Sequence, residues 1–288
     1  MKLLADGYGL LEAARWYRGQ GLLFSDMTGG GVYRLADEAS APQLLIPHRK
    51  GIGGLVAHRD GGLVVAGRNV AHKSGSGATS VIRETRPDET FFNDLTADHL
   101  GRLYVGSVAV DPTAGDGARR AGRLYRLNLD GSTEVLADDV LVSNGLGADP
   151  TDRLLYHVDS PRRTVWCYPI GAEGGERREF VQTAEYSGVP DGLAVAADGS
   201  VWVAMAGGAV VVGWDDSGRR IAEIAVGQEL VTSVCFGGSD GQTLFILTGC
   251  NDEYPDAQGG SVYALRGDRR GAPGVRAAIP IHTSRSLD

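Results

Sequence analysis

The chain has 288 residues, a formal net charge of −8, 43 glycines and three cysteines. That acidic balance argues against binding a phosphate backbone, and no apolar run approaches membrane-span length, so neither a nucleic acid nor a membrane is an expected partner. The N-terminal Met1-Lys2-Leu3-Leu4-Ala5-Asp6 is charged too early for a secretory leader, and Cys167, Cys235 and Cys250 form no Cys-x-x-Cys pair, so a cytoplasmic protein with free thiols is expected.

Six short apolar runs, each just after a turn, recur along the chain: Leu22-Leu23-Phe24-Ser25, Leu63-Val64-Val65-Ala66, Leu103-Tyr104-Val105-Gly106, Leu155-Tyr156-His157-Val158, Val201-Trp202-Val203-Ala204 and Leu244-Phe245-Ile246-Leu247. Their first residues are 41, 40, 52, 46 and 43 apart. A period of this length built only of short strands is the signature of propeller blades. The pattern predicts an all-β fold, a six-bladed β-propeller forming one domain over residues 1–288.

Each run reads as the second strand of a blade. The segments upstream, from Leu11, Ile52, Phe92, Ser143, Pro190 and Thr232, are rich in small residues and suit innermost strands around a crowded axis. Third strands are read at Val32-Tyr33-Arg34-Leu35, Ser80-Val81-Ile82-Arg83, Leu124-Tyr125-Arg126-Leu127, Val165-Trp166-Cys167-Tyr168, Val210-Val211-Val212-Gly213 and Val262-Tyr263-Ala264-Leu265. More polar outer strands follow, as at Gln43-Leu44-Leu45-Ile46 and Thr133-Glu134-Val135-Leu136. Either Lys2-Leu3-Leu4-Ala5 or Gly274-Val275-Arg276-Ala277-Ala278-Ile279 supplies a closing strand. Residues 67–79, 107–122 and 248–260 read as three long loops on one rim, a partial lid over the channel mouth.

Aligning the innermost strands puts Glu12, Gly53, Asn93, Asn144, Asp191 and Ser233 at one height around the axis. Four of these six are Glu, Asn, Asn and Asp, side chains that are costly to bury unless paired, hydrogen-bonded or bound to metal. Two carboxylates and two amide carbonyls make a hard-oxygen site, suited to Ca²⁺ or Mg²⁺; hydrogen bonding to backbone amides is the structural alternative.

The segments Val142-Ser143-Asn144-Gly145-Leu146, Tyr156-His157-Val158-Asp159-Ser160, Val189-Pro190-Asp191-Gly192-Leu193, Phe92-Asn93-Asp94 and Val231-Thr232-Ser233-Val234 resemble those of the SMP-30/gluconolactonase/luciferin-regenerating-enzyme-like family, over nearly the whole length. The resemblance implies one divalent metal in the channel, held by Glu12, Asn144 and Asp191, with Asn93 close to metal or substrate. Ca²⁺ is the first expectation, with Mg²⁺, Mn²⁺ or Zn²⁺ as alternatives. Two departures stand out. Glu12 is followed by Ala13-Ala14-Arg15-Trp16 where the family carries glycines and proline, and Phe91 stands where sugar lactonases of the family carry arginine. The phenylalanine suits an apolar substrate and points away from gluconolactone.

The expected activity is metal-dependent opening of a lactone or related ester. Asp191 is the candidate general base and Asn93 the residue that orients substrate; Asn93, Asp94, Phe91, Phe92, Arg68 and Ser233 are the candidate substrate contacts. Arg120, on another long rim loop, is a second source of charge. A non-hydrolytic isomerase, cyclase or dehydratase, and a non-catalytic binding propeller, are the alternatives. A small-molecule substrate and a monomer or homodimer are expected. No Gly-x-Ser-x-Gly elbow, phosphate loop or dinucleotide fingerprint is present. His48 and His72 read as rim-facing, His58 and His99 as solvated turn residues, and His157 as packed. Asp26 and Asp159 read as turn-formers, and Asp111, Asp116, Asp252 and Glu253 as solvated loop residues.

Overall fold

The computed structural model describes residues 1–110, 119–171 and 175–281. Strand β1 (Lys2–Tyr8) precedes a first blade of β2 (Leu11–Tyr17), β3 (Gly21–Asp26), β4 (Val32–Leu35) and β5 (Gln43–Ile46). Blade 2 is β6 (Gly54–Ala57), β7 (Leu63–Ala66), β8 (Asn69–Lys73) and β9 (Thr79–Glu84). Blade 3 is β10 (Phe91–Ala97), β11 (Leu103–Val110), β13 (Gly122–Leu127) and β14 (Thr133–Val140), with the two-residue β12 (Arg119–Arg120) paired to β11. Blade 4 is β15 (Ser143–Ala148), β16 (Leu154–Asp159), β17 (Thr164–Pro169) and β18 (Arg178–Gln182). Blade 5 is β19 (Val189–Val195), β20 (Val201–Ala206), β21 (Val210–Trp214) and β22 (Arg220–Ala225). Blade 6 is β23 (Val231–Gly237), β24 (Thr243–Thr248) and β25 (Gly260–Arg266), completed by β1. The six-bladed architecture is the one expected. All three cysteines are free.

The second strands are apolar along their length because both of their faces are covered by neighbouring blades. Every residue of β3, β7 and β24 is buried. The core therefore lies between blades: one cluster joins Tyr17 and Leu23 to Leu55, Phe92 and Tyr125, and another joins Tyr156 and Val165 to Val203 and Trp214.

Two expectations need correction. Residues 69–73, read as part of a long loop, form the third strand of blade 2, which moves Ser80-Val81-Ile82-Arg83 to the outer strand β9. The connection carrying Arg68 is thus tight, and the long rim connections are those of blades 3 and 6. Asp111 and Asp116 lie outside the described residues, while Asp252, Glu253 and Arg120 are exposed. The second correction concerns closure. β1 closes the ring by pairing antiparallel with β25, whereas the 274–279 segment lies under the far end of the channel, where the Ala277 amide donates to Ala57 and the Ala278 amide to Gly101.

Candidate active site

Four innermost strands carry a bulge at the same place. In β10 the pairing jumps from Phe92↔Ser107 to Leu95↔Val105, in β15 from Ser143↔Asp159 to Leu146↔His157, and in β19 from Pro190↔Met205 to Leu193↔Val203. Two residues then oppose one, which bends the strand and re-aims the side chains on it. Asn93, Asn144 and Asp191 are the first residues of these three bulges. In β2 the jump runs from Glu12↔Ser25 to Arg15↔Leu23, so Glu12 sits one step earlier and Ala13 occupies the bulge at φ 61°. A left-handed backbone favours glycine, which explains why glycine is the residue the resemblance leads one to expect there.

The one-height alignment therefore needs adjustment. In β23 the irregularity falls on Thr232, between Val231↔Thr248 and Ser233↔Leu247, so Ser233 lies a step below. Its hydroxyl accepts the Ala14 amide at 3.1 Å, tying blade 6 to blade 1. Gly53 leaves the space beside the Asn93 Oδ1 open, because a Cβ there would collide with that oxygen.

Hydrogen bonds fix the amides. Asn93 Nδ2 donates to the Ser143 carbonyl at 2.9 Å and to Asn144 Oδ1 at 3.2 Å. A carbonyl only accepts, so Asn93 is left presenting Oδ1. Asn144 Nδ2 donates to Ser160 Oγ at 3.2 Å. Asp191 is 6% exposed, and its Oδ1 is buried with no hydrogen-bond partner. Burial first, and then the charges of Asp191 and Asp94, push the Glu12 carboxyl well above its ordinary range. Burial and then Asp94 do the same to Asp191.

Asp94 plays a different part from the substrate contact expected of it. Its Oδ1 accepts from Arg15 at 3.0 Å and from the Leu95 amide at 2.8 Å, and its Oδ2 accepts from the Leu146 amide at 3.1 Å. Arg15 also donates to the Leu95 carbonyl at 2.7 Å and the Ala14 carbonyl at 2.8 Å. This buried pair crosses the axis from blade 1 to blade 3 and forms a floor. On the far side lies a cavity of about 100 Å³ lined by Arg15, Trp16, Leu146, Leu193 and Cys235, which Glu12, Asp94 and Asp191 do not line. That cavity is lined by no aspartate or glutamate.

The two phenylalanines separate. Phe92 is fully buried and edge-on to Tyr125, in the core and away from substrate; Phe91 is partly exposed beside Asn93. Arg68 is exposed on the rim. His72 is buried, with Nε2 at 2.8 Å from the Gly61 carbonyl at the opposite end of its blade, so it does not face the rim. His58 is 1% exposed, with Nε2 at 3.0 Å from the Ile279 carbonyl, and is not solvated. His48 is exposed at φ 60°, and His99 contacts Asp152 at 2.8 Å. Asp26 and Asp159 accept backbone amides at turns, as expected.

Sequence reasoning missed Arg15, and also Ser143 and His157, whose side chains meet at 2.8 Å directly behind Asn93. The only sequence signal for Arg15 is a cation inside a small-residue inner strand.

Among the described residues no three His, Cys, Asp or Glu side chains gather as a metal-binding group. The donor set rests instead on two carboxylates and an amide oxygen. The partnerless Asp191 Oδ1, whose charge acts on the partly buried Glu12 carboxyl, is the arrangement a hard cation completes, and the residues fit such an ion.

Residues 10–250 match the family model described as SMP-30/Gluconolactonase/LRE-like region. The chain belongs to this family. It is 33% identical over 260 residues to pentonolactonase XacC of Haloferax volcanii, covering 87% of this chain and 84% of the relative. It is 31% identical over 241 residues to the 6-deoxy-6-sulfogluconolactonase of Pseudomonas putida, covering 80% of each. The crystal structure of regucalcin from Agrobacterium tumefaciens, described as a calcium-binding protein, superposes with a TM-score of 0.83 at 19% identity, covering 95% of this chain and 96% of that one. That structural likeness speaks for the fold.

Proposed function

We propose that this family member is a lactone hydrolase working with one divalent cation, Ca²⁺ first among the candidates, held by Glu12, Asn144 and Asp191. The observation that carries the reading is the buried, partnerless Asp191 Oδ1 beside Glu12; the lactonase names of relatives supply the reaction class. A bound divalent cation polarises a carbonyl oxygen as a Lewis acid. The chain's own residues do the rest. Asn93 Oδ1 accepts a hydrogen bond from a substrate hydroxyl and orients the ring. The Asp191 carboxylate takes the proton of the attacking water. The Arg15–Asp94 floor keeps the substrate above it. The partly exposed Phe91 offers one apolar wall.

Hydrolysis of a lactone panel, followed by acid release with and without chelator, tests this. Chelation should abolish turnover and Ca²⁺ should restore it. Asp191→Asn should lose about 100-fold or more in kcat with the fold intact. Chelator-insensitive turnover would remove the cation from the reading. Near-normal turnover of the variant would remove Asp191 as base. Phe91 also favours a second reading, isomerisation, cyclisation or dehydration of an apolar substrate at the same site; product formation without acid release would select it.

A further inference from the structure

The groove between blades 1 and 2 holds charge that the site above leaves unused. Its lining includes His48, Arg49, Lys50, Arg68 and Lys73 and no aspartate or glutamate, around a cavity of about 610 Å³. Arg49, Lys50, Arg68 and Lys73 form no ion pair among the described residues, although the chain has 36 acidic against 28 basic residues. Glu84, which faces Asn69 across the β8–β9 ladder, is exposed and pairs with none of them.

The groove is built by the backbone. The Gly31 amide donates to the Arg49 carbonyl at 2.9 Å and the Gly51 amide to the Met27 carbonyl at 2.8 Å, which fixes the connection carrying residues 48–50. The Arg49 guanidinium donates to Oδ1 of the buried Asn69 at 3.1 Å. Arg68 follows Gly67, whose carbonyl accepts the Phe92 amide at 2.7 Å, so its turn is tied to the strand that carries Asn93. Burial, and then Arg68, hold Arg49 below its ordinary range; burial, and then Arg49, do the same to Lys73. Like charges gathered without a counter-charge destabilise the groove until an anion joins them.

We infer that Arg49, Lys50 and Arg68 form a binding site for an oxyanion, a carboxylate, sulfonate or phosphate group. Two guanidinium forks suit the planar or trigonal faces of such groups, and their donors remain open on the groove side. The group is either a substituent of the lactone substrate or a free anion. The first source rests on the lactonase reading; the second does not.

Two measurements decide between them. Calorimetric titration with inorganic phosphate is run against sodium chloride of equal ionic strength, on the wild type, Arg68→Gln and Arg49→Gln. In parallel, kcat/KM is compared for a lactone with and without an ionised side group. A free-anion site gives saturable phosphate binding that weakens about tenfold or more in each variant. A substrate subsite gives a preference for the ionised lactone, read as the ratio of kcat/KM for the two lactones, that falls by the same factor. Arg68 is exposed, so Arg68→Gln reports even where Arg49→Gln perturbs folding. Phosphate no better than chloride, together with no preference lost in Arg68→Gln, overturns the inference. A protein that binds phosphate but opens no lactone overturns only the function reading.

Discussion

Phe91 sits two residues before Asn93 and is the partly exposed side chain of its pair, since Phe92 is fully buried. An apolar wall discriminates weakly among substrates, whereas a site built to hydrogen-bond hydroxyls rejects those lacking them strongly. The expected outcome is a higher kcat/KM for alkyl- or aryl-substituted lactones than for gluconolactone, with Phe91→Arg shifting the ratio about tenfold or more toward the sugar. An unchanged ratio would show that Phe91 does not shape the pocket. His157 sets a second expectation. Burial first, and then the charge of Arg177 against a weaker opposing effect of Asp139, push it down to about 3. Its ordinary value near 6.5 applies in the unfolded chain, so the unfolded state takes up the proton first. Stability is therefore full above about pH 6.5 and falls as the pH drops toward 3, by about 4–5 kcal/mol from this residue alone, at about 1.4 kcal/mol per pH unit. Denaturant unfolding at pH 7, 5.5 and 4.5 should show a steeper loss for the wild type than for His157→Gln; parallel slopes would refute it. None of this was legible in the sequence, where His157 reads only as a packed residue of an apolar run and its contact with Ser143 depends on the partner strand.

At the scale of elements, the strands that were easiest to read are those covered on both faces. The second strands announce themselves because burial on two sides demands unbroken apolar runs after a turn. Strand β8 did not, because its sequence Asn69-Val70-Ala71-His72-Lys73 mixes polar and apolar residues and imitates a loop. Its Asn69 and His72 are buried through bonds to Arg49 and the Gly61 carbonyl, partners distant in sequence. The bulges were equally hidden. One inserted residue moves Ser233 out of the layer and puts Thr232 there, and no composition rule gives that register. The inner strands are held in register by the Arg15–Asp94 pair, which reaches from β2 to β10 and through the Leu146 amide to β15. Breaking a buried pair leaves an uncompensated charge, so Arg15→Met should cost about 3–5 kcal/mol. In a double-mutant cycle with Asp94→Asn, a coupling of about 2 kcal/mol or more is expected by denaturant unfolding. Additive costs would show that the two groups act separately.

Across the whole molecule the ring must be closed, because an open propeller leaves two sheet edges free to pair with other chains. The sequence left two segments eligible for that task, both short and weakly patterned. The choice falls on β1 because it brings its own anchors. Tyr8 stands edge-on to Phe24 at 5.7 Å and to Tyr33 at 5.1 Å, and Leu4 and Ala5 pack on the cluster between blades 6 and 1. The ladder Lys2↔Ala264, Leu3↔Tyr263, Ala5↔Val262 and Tyr8↔Gly260 then covers the β25 edge. The chain just beyond is fixed as well, since the Gly9 amide donates to Asp26 at 3.0 Å. Removing residues 1–8 strips the outer strand from blade 6 and bares β25, while leaving every residue of the candidate site in place. The truncated protein should melt at a clearly lower temperature and aggregate in a concentration-dependent way. A synthetic peptide of residues 1–9, added in excess, should recover part of the midpoint by refilling the edge, as any ligand selective for the folded state does. A truncated chain that melts like the full one, with no response to the peptide, would show that blade 6 holds the ring closed with three strands and that β1 is dispensable.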